Sequence, residues 1–185
     1  MSQAEVAGGT FTPPHEFPSK GYLLRDFVLT SATGSSIQLS DYRGRSNLVL
    51  IFAGHGSGSP GLLSDVASQY PQIRNEDAEV LAVVWRTREQ TRNTEELMQL
   101  PYPLLIDEAG NLHREFGAID AQGEASSAVY ITDRFGEVFG TYRKRAGQNL
   151  PTTKEILDWL EFINSQCPEC EPPEWPVEFA GLGAK

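Results

Sequence analysis

Leu48-Val49-Leu50-Ile51-Phe52 is a run of five apolar residues. After Ala53 it leads into Gly54-His55-Gly56-Ser57-Gly58-Ser59-Pro60-Gly61, and these two segments are the most informative about the fold. A continuous apolar run of this kind is typical of a strand that is covered on both faces. Four of the eight loop residues are glycine, and Pro60 suits the first turn of a helix, where its missing N–H does no harm. The stretch therefore predicts a buried strand, a glycine-rich loop and a helix over residues 60–74.

Further elements surround this unit on both sides. Residues 26–29 and 36–39 flank a glycine-containing turn and predict a hairpin. The other predicted strands are 79–85, 102–106, 127–132 and 137–142, and the other predicted helices are 87–98, 111–116 and one that begins at Thr152. Thr152 and Glu155 match the capping-box pattern, and the core-facing positions of this last helix are Ile156, Leu160 and Ile163. This order predicts an α/β fold, a three-layer α/β/α sandwich with a central mixed β-sheet.

The composition predicts a globular domain and excludes two classes of partner. Hydrophobic residues make up 39% of the 185 residues and charged residues 22%, which is enough for one buried core. A net charge of −10 repels phosphate backbones and anionic membrane surfaces, so we expect no nucleic-acid and no membrane partner. The apolar run of residues 48–53, which no other run exceeds in length, is far shorter than the ~20 residues that span a membrane. Residues 1–10 lack the basic and apolar regions of a signal peptide, so we expect a cytoplasmic protein.

Four segments resemble a known family in their order and spacing. They are Asp26-Phe27-Val28-Leu29 with Ile37-Gln38-Leu39-Ser40-Asp41-Tyr42-Arg43-Gly44; Leu48-Val49-Leu50-Ile51-Phe52; Pro103-Leu104-Leu105-Ile106-Asp107 with Phe116-Gly117; and Val129-Tyr130-Ile131-Thr132-Asp133-Arg134-Phe135-Gly136. Through these segments the chain resembles the peroxiredoxins of the alkyl hydroperoxide reductase/thiol-specific antioxidant (AhpC/TSA) group, which have a thioredoxin fold. The resemblance spans residues 22–142 and implies a thioredoxin-like domain, which we predict over residues 22–166. The composition predicts a Pro/Gly-rich N-terminal arm (1–21) before it and a proline-rich C-terminal tail with a CxxC motif (167–185) after it.

The resemblance also implies where a redox loop should carry its reactive groups. In the family, a cysteine at the N-terminus of the first core helix has its thiolate stabilised by the helix dipole and a nearby arginine. In this chain the family's cysteine falls near Gly61 and its threonine near Gly58. A thioredoxin-type CxxC would fall near Ser57 and Pro60, and the arginine or cis-proline at Ser127. The degenerate active-site loop therefore comprises His55, Ser57, Gly58, Ser59, Pro60, Gly61 and Ser127. Because none of these residues matches the family's reactive groups, we expect no ordinary peroxidase chemistry there.

Two cysteines, Cys167 and Cys170, are the only ones in the chain, and both lie in the tail. A CxxC pair can act as a redox dithiol or disulfide, supply half of a zinc site, or be an inert structural pair. The end of the preceding helix and nearby carboxylates disfavour a thiolate. The neighbouring acidic residues are Glu161, Glu169, Glu171 and Glu174. Zinc would need two further ligands, and the candidates are His15, His55, His113, a carboxylate or the same pair from a symmetric partner.

The glycine-rich loop allows two other interpretations. Because it leads into a helix N-terminus, it could hold an anion, although a flexible remnant of a redox loop has the same composition. His55 could act as a base on Ser57 or Ser59, which would make the protein a hydrolase, but no third catalytic group is identifiable.

Charged and aromatic residues at two strand ends are further candidates. Trp85 and Arg86 end the second core strand, where they either cap the core or line a pocket beside the loop. Arg143, Lys144 and Arg145 form a short basic run after the predicted hairpin, which is typical of a solvated face.

Two hypotheses follow from these observations. The first is a peroxiredoxin-like redox protein of the antioxidant or thiol-disulfide oxidoreductase class, in which any redox activity runs through Cys167 and Cys170. Its expected partners are a thioredoxin-like reductant or another protein, and a second copy in a homodimer. The alternative is a non-catalytic binding module in which the CxxC forms half of a zinc site or a structural disulfide.

Overall fold

A mixed β-sheet forms the centre of the computed structural model, which describes residues 17–55, 58–145 and 148–166. In these residues the sheet has seven strands: β1 (Val28–Ser31), β2 (Ser36–Gln38), β3 (Asn47–Ala53), β4 (Ala78–Val84), β5 (Leu104–Ile106), β6 (Ala128–Thr132) and β7 (Val138–Arg143). The helices of the described chain are α1 (Gly58–Ser68), α2 (Tyr70–Asn75), α3 (Arg88–Met98), α4 (Asn111–Glu115) and α5 (Thr153–Ser165), with a 3₁₀ turn at Leu39–Tyr42. None of these helices has the length and apolar character needed to cross a membrane.

The strand order is β2-β1-β5-β4-β3-β6-β7, so the predicted apolar strand lies well inside the sheet. β3 runs parallel to β4 and antiparallel to β6, and β4 runs parallel to β5. The outer pairings, β1 with β2, β1 with β5 and β6 with β7, are all antiparallel. All seven residues of β3 are buried, as expected for a strand with neighbours on both sides and helices on both faces. The sheet is therefore mixed, as the sequence predicts.

The two faces of the sheet are covered by different elements. Val49 and Ile51 of β3 face a core that includes residues of α1, α2 and α5. Leu50 and Phe52 point the other way, because successive side chains of a strand alternate, and they pack with residues of α4 and the 3₁₀ turn. This arrangement confirms the predicted three-layer α/β/α sandwich.

The last helix begins where its capping box predicts. Thr152 is the N-cap residue, and its hydroxyl oxygen accepts a hydrogen bond from the Glu155 N–H at 3.2 Å. The Glu155 carboxylate accepts in return from the Thr152 N–H at 2.7 Å. The three positions predicted to face the core are all buried: Ile156, Leu160 and Ile163.

The single helix predicted over residues 60–74 is instead two helices, α1 and α2. The break lies at Gln69, whose φ of −103° and ψ of 5° are not helical. Pro71 follows in the first turn of α2, and because it has no N–H it cannot continue the hydrogen-bond ladder of α1. The strand predicted over residues 79–85 is likewise shifted and ends at Val84.

The segment before β1 lies along β7, at one edge of the sheet. The Gly21 N–H donates to the Val138 carbonyl at 2.8 Å, and the Val138 N–H donates to the Tyr22 carbonyl at 2.9 Å. Phe17, the first described residue, packs its ring over the Arg143 guanidinium, with 4.9 Å from the ring centroid to Cζ. The boundary predicted after residue 21 stays a prediction.

The two ends of β3 differ in what they contact. At the amino end, the buried Asn47 amide donates to Asn164 Oδ1 of α5 at 2.8 Å and to the Glu76 carbonyl at 3.3 Å. These bonds place the carboxyl end of α5 beside the amino end of β3. At its other end, β3 leads into Gly54 and the glycine-rich loop.

Candidate functional site

An open cleft of about 780 Å³ lies at the carboxyl end of β3. One wall is Gly54, the first residue after β3, and a second is formed by residues of the segment 117–127 between α4 and β6. Phe17, Lys144 and Arg145 complete the lining. The carboxyl ends of parallel strands are where α/β sheets commonly bind ligands, so this cleft is the candidate site.

Close backbone contacts hold the glycine-rich loop against the segment before β6. The Gly54 N–H donates to the Ser127 hydroxyl oxygen at 3.2 Å, and the His55 N–H donates to the Ala125 carbonyl at 3.2 Å. A Cβ atom on Gly54 would lie 2.8 Å from backbone atoms of Ser126, so only glycine fits there without a shift. Ser127 thus faces the loop from the position that the family resemblance assigns to a cation or proline, and it supplies a hydrogen-bond acceptor.

The other residues of the degenerate loop offer little chemistry in the described chain. The side chain of His55 is exposed, and no hydrogen bond to it occurs among the described residues. Ser57 lies outside the described residues, whereas Gly58, Ser59, Pro60 and Gly61 all belong to α1. The hydrolase interpretation therefore gains no supporting contact from the part of the chain that the structure describes.

The basic run after β7 lies at the cleft, where the sequence predicts only a solvated face. Lys144 and Arg145 line the cleft and are exposed. Arg143 is half-buried against Phe17, and its Nη1 atom is buried without a hydrogen-bond partner in the described structure. The difference arises because β7 pairs with β6, and this pairing brings the end of β7 beside the start of β6.

Tyr130 of β6 is a buried phenol close to these cations. Its hydroxyl donates to the Phe116 carbonyl. Burial raises the pKa of Tyr130 to about 12, although the nearby charges of Arg143 and Arg145 act in the opposite direction. The phenol is therefore neutral at physiological pH, and it does not neutralise either arginine.

A buried carboxylate–imidazole pair forms a second constellation at the same end of the sheet. Asp107 follows β5, and its Oδ2 accepts from the His113 N–H at 2.8 Å and lies 2.7 Å from His113 Nδ1. Burial alone would raise the pKa of Asp107, but the hydrogen bonds from His113 hold it below its usual value. The imidazole is fully buried, and its Nε2 atom has no hydrogen-bond partner in the described residues. Sequence reasoning missed this pair because the two residues lie six positions apart across a turn, outside any periodic pattern.

Trp85 packs against residues of α4 and Arg86 bonds to α3, and neither residue lines the cleft. The Trp85 ring lies 5.9 Å from the His113 ring, and Arg114 covers Trp85 with its Cζ 4.4 Å from the ring centroid. Arg86 Nη1 donates to the Thr94 hydroxyl of α3 at 3.0 Å. Of the two roles that the sequence allows for these residues, capping the core is the one observed.

The predicted thiol and metal site lies outside the described residues, which exclude Cys167, Cys170 and His15. Within residues 17–55, 58–145 and 148–166, no group of three or more His, Cys, Asp or Glu side chains is arranged to hold a metal ion. His113 is buried and bonded to Asp107, so it is a poor candidate for a zinc ligand shared with the tail.

Comparison with known proteins identifies relatives of this chain. The sequence profile of the AhpC/TSA family matches residues 21–140. Peroxiredoxin bcp1 of Schizosaccharomyces pombe is 32% identical over 101 residues, which cover 53% of this chain and 51% of that protein. Chloroplastic peroxiredoxin Q of Gentiana triflora is 24% identical over 152 residues, which cover 80% of this chain and 67% of the relative. The chain thus spans about half the length of the fission yeast relative.

Solved structures show the same architecture at low sequence identity. Xylella fastidiosa PrxQ, crystallised as a cysteine-to-serine mutant, superposes with a TM-score of 0.71 at 18% identity, covering 81% of this chain and 99% of that one. Peroxidoxin BcpB of Mycobacterium tuberculosis gives a TM-score of 0.68 at 19% identity, covering 80% and 99%. These matches confirm the predicted thioredoxin-like α/β fold.

Proposed function

The chain belongs to the AhpC/TSA family of peroxiredoxin-like redox proteins, and from this premise we propose that its thiol chemistry is carried by Cys167 and Cys170. One observation supports the proposal above all. These are the only two cysteines of the chain, and none of the described residues that line the cleft, where the family's reactive loop should lie, is a cysteine. Glycine and serine cannot donate electrons to a peroxide or a disulfide, whereas a thiolate can.

The position of the carboxyl end of α5 supports a redox site separate from the cleft. Gln166, the residue before Cys167, caps the carboxyl end of α5. That end of α5 lies beside Asn47 at the amino end of β3, whereas the cleft lies beyond the carboxyl end. A seven-residue strand is about 20 Å long, and one residue extends a chain by at most about 3.6 Å. We therefore propose that the thiol pair acts as a site of its own, separate from the cleft.

The proposed reaction is thiol-disulfide exchange with a partner protein. One cysteine of the pair, as its thiolate, attacks a disulfide sulfur of the partner, forms a mixed disulfide and releases one partner thiolate. The second cysteine then attacks the mixed disulfide and releases the other partner thiolate. The pair is thereby oxidised to a disulfide and the partner is reduced by two electrons. A thioredoxin-like dithiol protein would regenerate the pair by the same two steps.

The test is reduction of insulin, with dithiothreitol as the electron source and the full chain as catalyst. We expect the variant with Cys167→Ser and Cys170→Ser to fall to the uncatalysed rate. Ser57→Ala, a matched change in the degenerate loop, should leave the rate unchanged. Full activity in the variant without cysteines would overturn the proposal. Thiol titration before and after reduction measures the oxidation state of the pair directly.

Zinc binding is the second candidate function. A single CxxC supplies two of the four ligands of a tetrahedral site, and the described residues hold no group of three or more His, Cys, Asp or Glu side chains that could bind the ion by themselves. A homodimer that shares one ion between two pairs would meet this requirement. Purified protein should then contain about one zinc per two chains, and a chelator should dissociate the dimer. Metal-free protein with two titratable thiols per chain would exclude this candidate.

A further inference from the structure

The cleft carries positive charge that the redox proposal does not use. Lys144 and Arg145 line it, and Arg143 directly precedes them. In the described residues, no ion pair joins any of the three to a carboxylate. Because the whole chain has a net charge of −10, a group of unpaired cations at a cleft is unusual for this protein.

One carboxylate also lines the cleft, but it is bonded within its own loop. Asp120 Oδ1 accepts from the backbone N–H groups of Gln122 and Glu124, each at 2.9 Å. These bonds direct the carboxylate into the turn that it stabilises. Among the described residues, Asp120 therefore forms no ion pair with Lys144 or Arg145.

Arg143 adds one buried nitrogen without a hydrogen-bond partner in the described residues, while the rest of its guanidinium bonds to the Tyr130 hydroxyl. Its Nη1 atom is buried with no hydrogen-bond partner in the described chain, and the guanidinium lies beneath the Phe17 ring. An unsatisfied buried donor is unfavourable and is often explained by a missing ion or ligand. Phe17 itself lines the cleft, so the Arg143 guanidinium packs against a residue of the cleft wall.

The size and the remaining lining of the cleft define the ligand. A volume of about 780 Å³ lies in the range of small-molecule sites. Phe17, Ile119 and Ala125 supply apolar surface in the same cleft. A guanidinium fork matches the planar, bidentate geometry of a carboxylate. We propose that the cleft binds a small organic carboxylate, with its charged group at Lys144 and Arg145 and its apolar body against Phe17 and Ile119.

Calorimetric titration of the full chain tests this proposal with three probes: butyrate, octanoate and 4-phenylbutyrate. We expect the two longer acids to bind and the amide of 4-phenylbutyrate not to bind. Arg145→Gln should weaken binding about fivefold, the effect of losing one exposed charge pair. Arg92→Gln removes an exposed cation of α3, far from the lining residues in sequence, and should change nothing. Binding should weaken as salt is raised.

Three results would overturn the proposal: no binding of any probe, equal binding of the acid and its amide, or unchanged affinity in Arg145→Gln. The variant lacking both cysteines separates this proposal from the redox proposal, because we expect it to bind 4-phenylbutyrate as the wild type does. Loss of carboxylate binding in that variant would contradict a site formed by Lys144 and Arg145.

Discussion

At the amino end of β3, polar side chains join the sheet to α5, whereas at the carboxyl end backbone contacts leave an open cleft. Asn47 is 1% exposed and bonds to Asn164, whose own amide donates to the Glu76 carboxylate at 2.9 Å. At the other end, a Cβ atom on Gly54 would lie 2.8 Å from backbone atoms of Ser126, and Gly54 lines the open cleft. The amino end of β3 is thus fixed by side-chain hydrogen bonds, whereas the carboxyl end presents a site that is open to a ligand.

The largest effect at the carboxyl end should come from breaking the buried Asp107–His113 pair. His113→Ala would leave a buried carboxylate without its main partner, so we expect the free energy of unfolding to fall by about 3–5 kcal/mol. Urea unfolding measures this change. Arg114→Ala, at the next position of α4, is the control and should cost about 1 kcal/mol or less, since it loses an exposed contact with Trp85. Equal costs for the two variants would mean that the pair has no special role.

A smaller loss of stability should follow from adding a side chain at Gly54, where the backbone of Ser126 lies close. Gly54→Ala places a Cβ atom 2.8 Å from backbone atoms that cannot rotate away, so we expect a loss of about 1–3 kcal/mol. Gly61→Ala makes the same change inside α1, where no atom lies within 4 Å of the added Cβ. That variant should be neutral or more stable by up to about 1 kcal/mol. Thermal unfolding of both variants gives the comparison, and a destabilised Gly61→Ala would contradict it.

Substitutions at the amino end of β3 should lower the free energy of unfolding by a smaller amount. Asn164→Ala leaves the buried Asn47 amide with only the Glu76 carbonyl at 3.3 Å, so we expect a loss of about 1 kcal/mol. Gln166→Ala serves as the control, because its amide bonds only to neighbouring residues of α5 and should change stability by less than about 0.5 kcal/mol. If urea unfolding cannot distinguish the two variants, the amide contacts do not fix α5 to the sheet.

The smallest expected effect is on the pH dependence of stability. Acid should destabilise the protein through Asp107 near the carboxyl end of β3 and should not act through Asn164 at the amino end. The pKa of Asp107 is lower in the folded protein than in the unfolded chain, where it is about 4. The stability contributed by this carboxylate is therefore complete above pH 4 and is lost as the pH falls through the folded-state pKa. Urea unfolding between pH 7 and pH 3 should show a shallower acid dependence for Asp107→Asn than for the wild type. Asn164→Ala should keep the wild-type dependence, and parallel curves for all three proteins would argue against this assignment.

Much of the fold could be predicted because local patterns determine it. The apolar run of β3 and the capping box at Thr152 are both local, and both elements form where predicted. The break at Gln69 was missed because the helical spacing of apolar residues continues across Pro71. The cleft was harder to predict, because it depends on residues that are distant in sequence. A basic run alone indicates a solvated face, and only the pairing of β7 with β6 places Lys144 beside Gly54 at one cleft.

β3 is an inner strand that pairs with β4 and with β6, and this has a consequence for biosynthesis. Leu48 pairs with Glu79 on one side and with Thr132 on the other, so the ribosome completes this strand long before its second neighbour exists. Until then the nascent chain presents seven consecutive uncharged residues with unpaired backbone groups, the composition that favours intermolecular β-aggregation. We therefore expect chaperone dependence during translation to end only after residue 132 has left the exit tunnel.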